Sequence, residues 1–301
     1  NSLTISGGTC NGSSGTLSVA GNWNSTGGMF ADNGGTVLFN ASGGAKTITA
    51  PSASGDFNNV TFNDAGGGAS WALAAPLDVG GNLTITGGTL DVSASNHAVT
   101  VAGSWTNADT FTARTGTVTF DAVSGTPAVD STGAVLGSFY NIAFDDSGNG
   151  VTFTLESPLD VNNDLTITGG TLDVKTGENN AITIAGDWDN ADTFTARAGT
   201  VTFDGTALQT VSSGNSPFYG FNVTNTSSAG VRFSGNATRS DWYNGNWLYR
   251  AKITVANAKV ASDLSGFPVY LDLSVMGAGH DFWSHVKPDG GDVVVTSANG
   301  T

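Results

Sequence analysis

Leu83-Thr84-Ile85-Thr86-Gly87-Gly88-Thr89-Leu90-Asp91-Val92 recurs without a change as Leu165 to Val174, 82 positions later. A looser copy, Leu3-Thr4-Ile5-Ser6-Gly7-Gly8-Thr9, precedes it by 80. Outward from this block the repetition continues. Asn107-Ala108-Asp109-Thr110-Phe111-Thr112-Ala113-Arg114 returns as Asn190 to Arg197, and Ala-Gly-x-Trp occurs at Trp23, Trp105 and Trp188. Gly-Thr-Val-x-Phe ends at Phe39, Phe120 and Phe203, and an aromatic turn sits at Phe57, Phe139 and Phe218. Residues 1–238 are therefore three copies of one unit, and the unit must be understood before any single motif.

Inside each copy the period is two. Val99-Thr100-Val101, Val118-Thr119-Phe120 and Val151-Thr152-Phe153-Thr154-Leu155 alternate an apolar residue with threonine, the mark of a strand with one face inward and one wet. Gly-Gly and Ser-Gly-Asn-Gly punctuate these runs and supply left-handed backbone positions. Composition agrees. There are 43 glycines in 301 residues, and the 25 acids are nearly all aspartate, the only glutamates being Glu156 and Glu178. Gln209 is the single glutamine, so the straight-chain helix formers are scarce. With 39% hydrophobic residues the chain has material for a core, which argues against disorder.

Two all-β architectures satisfy the pattern. In the first, each ~82-residue copy is about four coils of a parallel β-solenoid at roughly 20 residues per coil, giving about twelve coils and a rod of roughly 60 Å. In the second, each copy is a β-sandwich on a string. Pro76-Leu77-Asp78-Val79 and Pro158-Leu159-Asp160-Val161 run from one copy into the next without a linker, which favours the solenoid. The boundaries expected are 1–76, 77–158 and 159–238 for the repeats and 239–301 for a C-terminal, apparently incomplete, partial antiparallel β module.

The repeated blocks resemble the tandem repeats of very large bacterial and archaeal surface proteins of the filamentous-haemagglutinin-like β-solenoid kind, over roughly residues 1–238. After Thr238 the texture changes. Tyr249-Arg250, Phe267-Pro268-Val269 and Pro288-Asp289-Gly290-Gly291-Asp292-Val293 look like the opening of the surface-protein family called domain of unknown function twenty-three forty-one. That resemblance implies an extracellular all-β module and carries no catalytic residues over.

A net charge of -15 with only 10 basic residues argues against nucleic acid and anionic membranes as partners. No run approaches the 18 apolar residues of a membrane span. The lone Cys10 permits no intrachain disulfide. Asn1-Ser2-Leu3-Thr4 lacks the form of a signal peptide, so a mature or trimmed chain is expected.

Few residues suggest chemistry. Asp145, Asp146 and Asn149 lie in an oxygen-rich turn of the sort Ca²⁺ uses, without the EF-hand order. They are the weak calcium candidates; no other metal and no cofactor are expected. His280 and His285 flank Asp281 at a spacing that fits no zinc signature, and His97 stands alone at a corner. Asp109 with Arg114, repeated as Asp192 with Arg197, is the recurring charged constellation; Gly28 and Asn33 replace it in the first copy. Pairing between neighbouring coils accounts for it better than a duplicated active site would, and no enzyme is expected. Trp242, Tyr243, Trp247 and Tyr249 either stack on glycan or plug the junction with the last module. Asn-x-Ser/Thr triplets, among them Asn24-Ser25-Thr26 and Asn82-Leu83-Thr84, arise from composition.

The expected function is the subunit or shaft of an extracellular cell-surface filament or adhesin. Its partners are copies of itself, joined head to tail by strand addition at open edges, unless the 301 residues are a slice of a longer polypeptide. The alternative is a carbohydrate-binding stalk using the aromatic cluster.

Overall fold

The computed structural model describes residues 1–50, 57–64, 66–132, 139–146, 148–214 and 216–234. The chain divides into two units after Ser240, so the expected module at 239–301 lies outside the described residues. All the described strands belong to the first unit, Asn1–Ser240.

This unit is all-β: 29 short strands and no helix among the described residues, every pairing parallel. The strands wind a β-solenoid of about ten turns. A nine-stranded sheet runs from the Thr16–Val19 strand to the Thr193–Thr195 strand and so crosses both boundaries between copies. An eight-stranded sheet runs from Leu77–Val79 to Val231–Phe233 and crosses the second boundary. Separate sandwiches are excluded by this continuity.

Every third strand is a neighbour, except at one place in each copy. There the aromatic turn residue replaces a strand. Phe57 bridges to Val79, and Phe139 bridges to Val161. Phe30 lies 6.2 Å from Phe57 on one side, and Phe111 lies 6.1 Å from Phe139. These two bridges join the five sheets into three continuous faces. The first begins with the Leu3–Thr4 strand, the second with Thr9–Asn11 and the third with Thr16–Val19.

Counting along one copy gives ten strands and one single-residue bridge, eleven positions on three faces, or three and two-thirds turns. The coil is about 22 residues, as in the pairing of Leu83 with Trp105 and of Leu165 with Trp188. The expectation of four 20-residue coils per copy is corrected accordingly. The coil joining Val129 to Leu155 is longer, at 26 residues. Since eleven is not a multiple of three, equivalent blocks do not stack. Leu3 opens the Leu-Thr-Ile block on the first face, Leu83 on the third and Leu165 on the second.

Alternation does what the pattern requires. In Leu83–Ile85 and Val99–Val101 the apolar residues are buried and the threonine is half-buried. Outside, Thr61, Thr84 and Thr106 fall in register on one face. Inside, Trp23, Trp71, Trp105 and Trp188 are buried and surrounded by phenylalanines. Phe39 stacks on Phe62 at 5.2 Å and Phe120 on Phe144 at 5.3 Å. One coil places its aromatic rings on those of the next, so the core is a column and burial is continuous along it. Glycine is obligatory where this column leaves no room. At Gly88, with φ of 85°, a Cβ would lie 2.7 Å from the Trp71 ring.

Candidate functional site: polar groups that clamp coil to coil

The polar side chains that recur from copy to copy converge on their own backbone. At the turn entering the Leu-Thr-Ile strand each copy has a small acceptor: Ser2, Asn82 and Asp164. One coil later stand Asn22, Ser104 and Asp187. Asn59 Oδ1 accepts from Asn82 N at 2.9 Å, Asn82 Oδ1 from Ser104 N at 2.8 Å, and Ser104 Oγ from Ala128 N at 3.0 Å. The third copy repeats this through Asn141, Asp164, Asp187 and Thr210, the last two bonds being 2.8 and 2.7 Å. The first copy has Asn22 N on Ser2 Oγ and Thr47 N on Asn22 Oδ1, each at 3.0 Å. These ladders satisfy corner amides that the sheets leave unpaired. Nothing in the sequence identified them, although one signal was present: serine, asparagine and aspartate interchange there, and all three accept a hydrogen bond. Asn82→Ala is expected to destabilise the solenoid by about 1 kcal/mol, measured by urea denaturation, with Asn82→Asp close to neutral.

The recurring charged constellation also lies between coils, but Arg114 and Asp109 do not pair with each other. Arg114 makes a bidentate pair with Asp91 on the coil below, Nε to Oδ1 at 2.6 Å and the second nitrogen to Oδ2 at 2.7 Å. Arg197 holds Asp173 in the same way, at 2.9 and 2.6 Å. Asp109 and Asp192 instead accept from the backbone N–H of Gly88 and Gly170, at 2.8 and 2.9 Å. Asn33, Arg114 and Arg197 share a left-handed backbone, with φ of 51°, 48° and 49°, so the turn is kept where the charge is not. The first copy has Asn11 opposite Asn33 in place of the ion pair, and Asn33 donates to the Gly12 carbonyl. The arginine beside Asp91 and Asp173 holds each carboxyl below its usual range against the opposing effect of burial. Glu156 likewise pairs with Lys175 from the neighbouring coil, and Glu178 pairs with the same lysine within its own turn.

The calcium candidates are explained by the same principle. Asp146 is fully buried; its Oδ1 accepts from Gly148 N and its Oδ2 from Val151 N, both at 2.7 Å. Asn149 donates its side-chain amide to the Asp146 carbonyl. Burial pushes the Asp146 carboxyl up, but the N–H groups of Val151, Gly148, Gly150 and Asn149 outweigh it and lower the pKa. Asp64 is the counterpart in the first copy, accepting from Gly66, Gly67 and Ala69. Asn225, in the third copy, retains the acceptor and binds Ser227 N at 2.7 Å. Positive ends of N–H dipoles surround this carboxylate, the reverse of what a cation needs. Asp145 is set apart, near Asp121 on the neighbouring strand's end, whose carboxyl burial, Asp78 and Asp145 together raise.

Among the described residues no group of three or more His, Cys, Asp or Glu is placed to hold a metal. His97 is half-buried and its backbone N–H closes a turn on the Val92 carbonyl at 3.1 Å. Trp242, Tyr243, Trp247, Tyr249, His280 and His285 lie outside the described residues. No protein-family model, curated protein or solved structure matches this chain.

Proposed function

We propose that this protein is the shaft of an extracellular surface filament or adhesin. One observation supports the reading above others: the recurrent charged and amide side chains are used to tie each coil to the next. Asp91 with Arg114, Asp173 with Arg197, and the Asn82 and Asp164 ladders all act this way, while the Asp64 and Asp146 turns brace corners within a single coil. A solenoid organised like this gains length with each coil while its core stays closed. The resemblance of residues 1–238 to filamentous-haemagglutinin-like repeats is in keeping with it, as is the acidic, threonine-coated exterior.

Copies of the protein are the partners this reading implies, since a parallel ladder offers complementary pairing groups on its two edges and so accepts a like strand in head-to-tail order. A closed ring is not required, and repetition of such a contact makes a filament. The glycan-binding alternative depends on the cluster at 242–249; the four tryptophans of the described residues are buried in the core. Electron microscopy of native material, with antibody labelling of intact cells, tests the proposal. Labelled rods or fibres at the cell surface are expected, and isolated globules or an intracellular label would overturn it.

A further inference from the structure

We infer that the 82-residue unit is an interchangeable length module, each copy adding three and two-thirds turns and rotating everything beyond it by one face. The two junctions between copies are built from the same contacts. At the first, Val60 pairs with Leu83, Ser70 with Thr89 and Phe57 with Val79. At the second, Ile142 pairs with Leu165, Thr152 with Thr171 and Phe139 with Val161. The corner ladder crosses both, as Asn59 to Asn82 N and as Asn141 to Asp164 N. The face differs: the first junction carries the Leu-Thr-Ile strand on the third face, the second on the second face.

A copy therefore ends in the surface on which any copy begins, turned by a third of a revolution. Removing or adding a whole unit leaves each coil on a coil it already fits. The few residues that differ at the junctions are tolerable neighbours: Trp71 in one corresponds to Phe153 in the other, both fully buried. Lys175 would lose Glu156 and keep Glu178. Three units make eleven turns, a whole number, after which an equivalent block returns to its starting face. At about 4.8 Å per turn, each unit changes the length by roughly 18 Å. Copy number thus sets both the reach of the solenoid and the direction in which its far surface points. The use of this as reach rests on the shaft reading; the interchange itself does not.

Two chains test it, both carrying Cys10→Ser. Deleting residues 83–164 joins Asn82 to Leu165 and leaves the ten residues after the junction identical to those it replaces. In the intact chain Thr61 is paired with Thr84 on the third face and Thr166 with Ala143 on the second. In the shortened chain Thr61 and Thr166 become direct neighbours. With Thr61→Cys and Thr166→Cys, mild oxidation is expected to form an intramolecular disulfide in the shortened chain and none in the intact one. A second insertion of residues 83–164 is expected to yield a folded four-copy chain about 18 Å longer by small-angle scattering. A four-copy chain that does not gain this length, or a folded shortened chain in which the two thiols stay apart, overturns the inference. Both experiments use purified protein, so their failure leaves the cellular reading standing, and the reverse holds too.

Discussion

Trp105→Ala is expected to cost about 3–5 kcal/mol of stability, the range for emptying a large aromatic site in a core that relaxes only in part. Trp105 is fully buried, with Phe111 at 4.9 Å and Phe139 at 5.3 Å. Trp188 has the same surroundings on a different face, with Phe194 at 4.8 Å and Phe218 at 5.2 Å. Trp188→Ala is therefore expected to lose a similar amount, although the two sites face different sheets of the solenoid. The phenylalanine variants are expected to lose far less. The indole N–H of Trp105 and of Trp188 has no hydrogen-bond partner, whereas that of Trp23 donates to Ser25 Oγ at 3.2 Å. Phenylalanine in the two later copies gives up ring area but also removes an unsatisfied donor. Urea denaturation followed by circular dichroism reads all four. A loss below about 1 kcal/mol in Trp188→Ala alone would mean that equivalent blocks are not equivalently packed.

The parts of the fold that were legible in the sequence are those that depend on neighbours along the chain. Val99-Thr100-Val101 states its own burial, and the identical blocks at Leu83 and Leu165 state their own equivalence. What depends on the length of a coil was hidden. Phe57 and Phe139 read as turn residues, yet each stands in for a strand and holds two stretches of sheet in line. Arg114 reads as the companion of Asp109, five residues away; its partner is Asp91, twenty-three residues back and one coil below. A side chain in a solenoid meets residues one coil distant more readily than it meets its sequence neighbours, so pair assignments fail until the coil is known. Asp146 was misleading in another way. An oxygen-rich turn has one composition whether its carboxylate faces a cation or the turn's own N–H groups, and only the backbone path separates the two.

The buried and half-buried aspartates make stability depend on pH in two opposed ways. Asp91 and Asp173 are lowered by their arginines, and Asp64 and Asp146 by backbone N–H groups, each working against burial. Stability from these four is complete above the ordinary aspartate pKa of about 3.9 and is lost as pH falls through their lower folded values. Asp121 and Asp160 behave oppositely. Burial raises both, with Asp78 and Asp145 adding to it at Asp121 and Asp204 at Asp160. Ionised, these two weaken the fold; that penalty is relieved as pH falls through their raised values toward about 3.9. Partial neutralisation of the -15 net charge acts in the same direction. The melting temperature is therefore expected to rise from neutrality into mild acid and then to drop steeply below the ordinary aspartate range. Asp121→Asn combined with Asp160→Asn is expected to raise the melting temperature at pH 7 by a few degrees and to flatten the rise. It should leave the steep acid limb in place. Added salt separates the two contributions, since it screens the general repulsion far more than a half-buried carboxylate without a cation beside it. A double variant whose melting profile keeps the full rise at high salt would show that Asp121 and Asp160 are not its source.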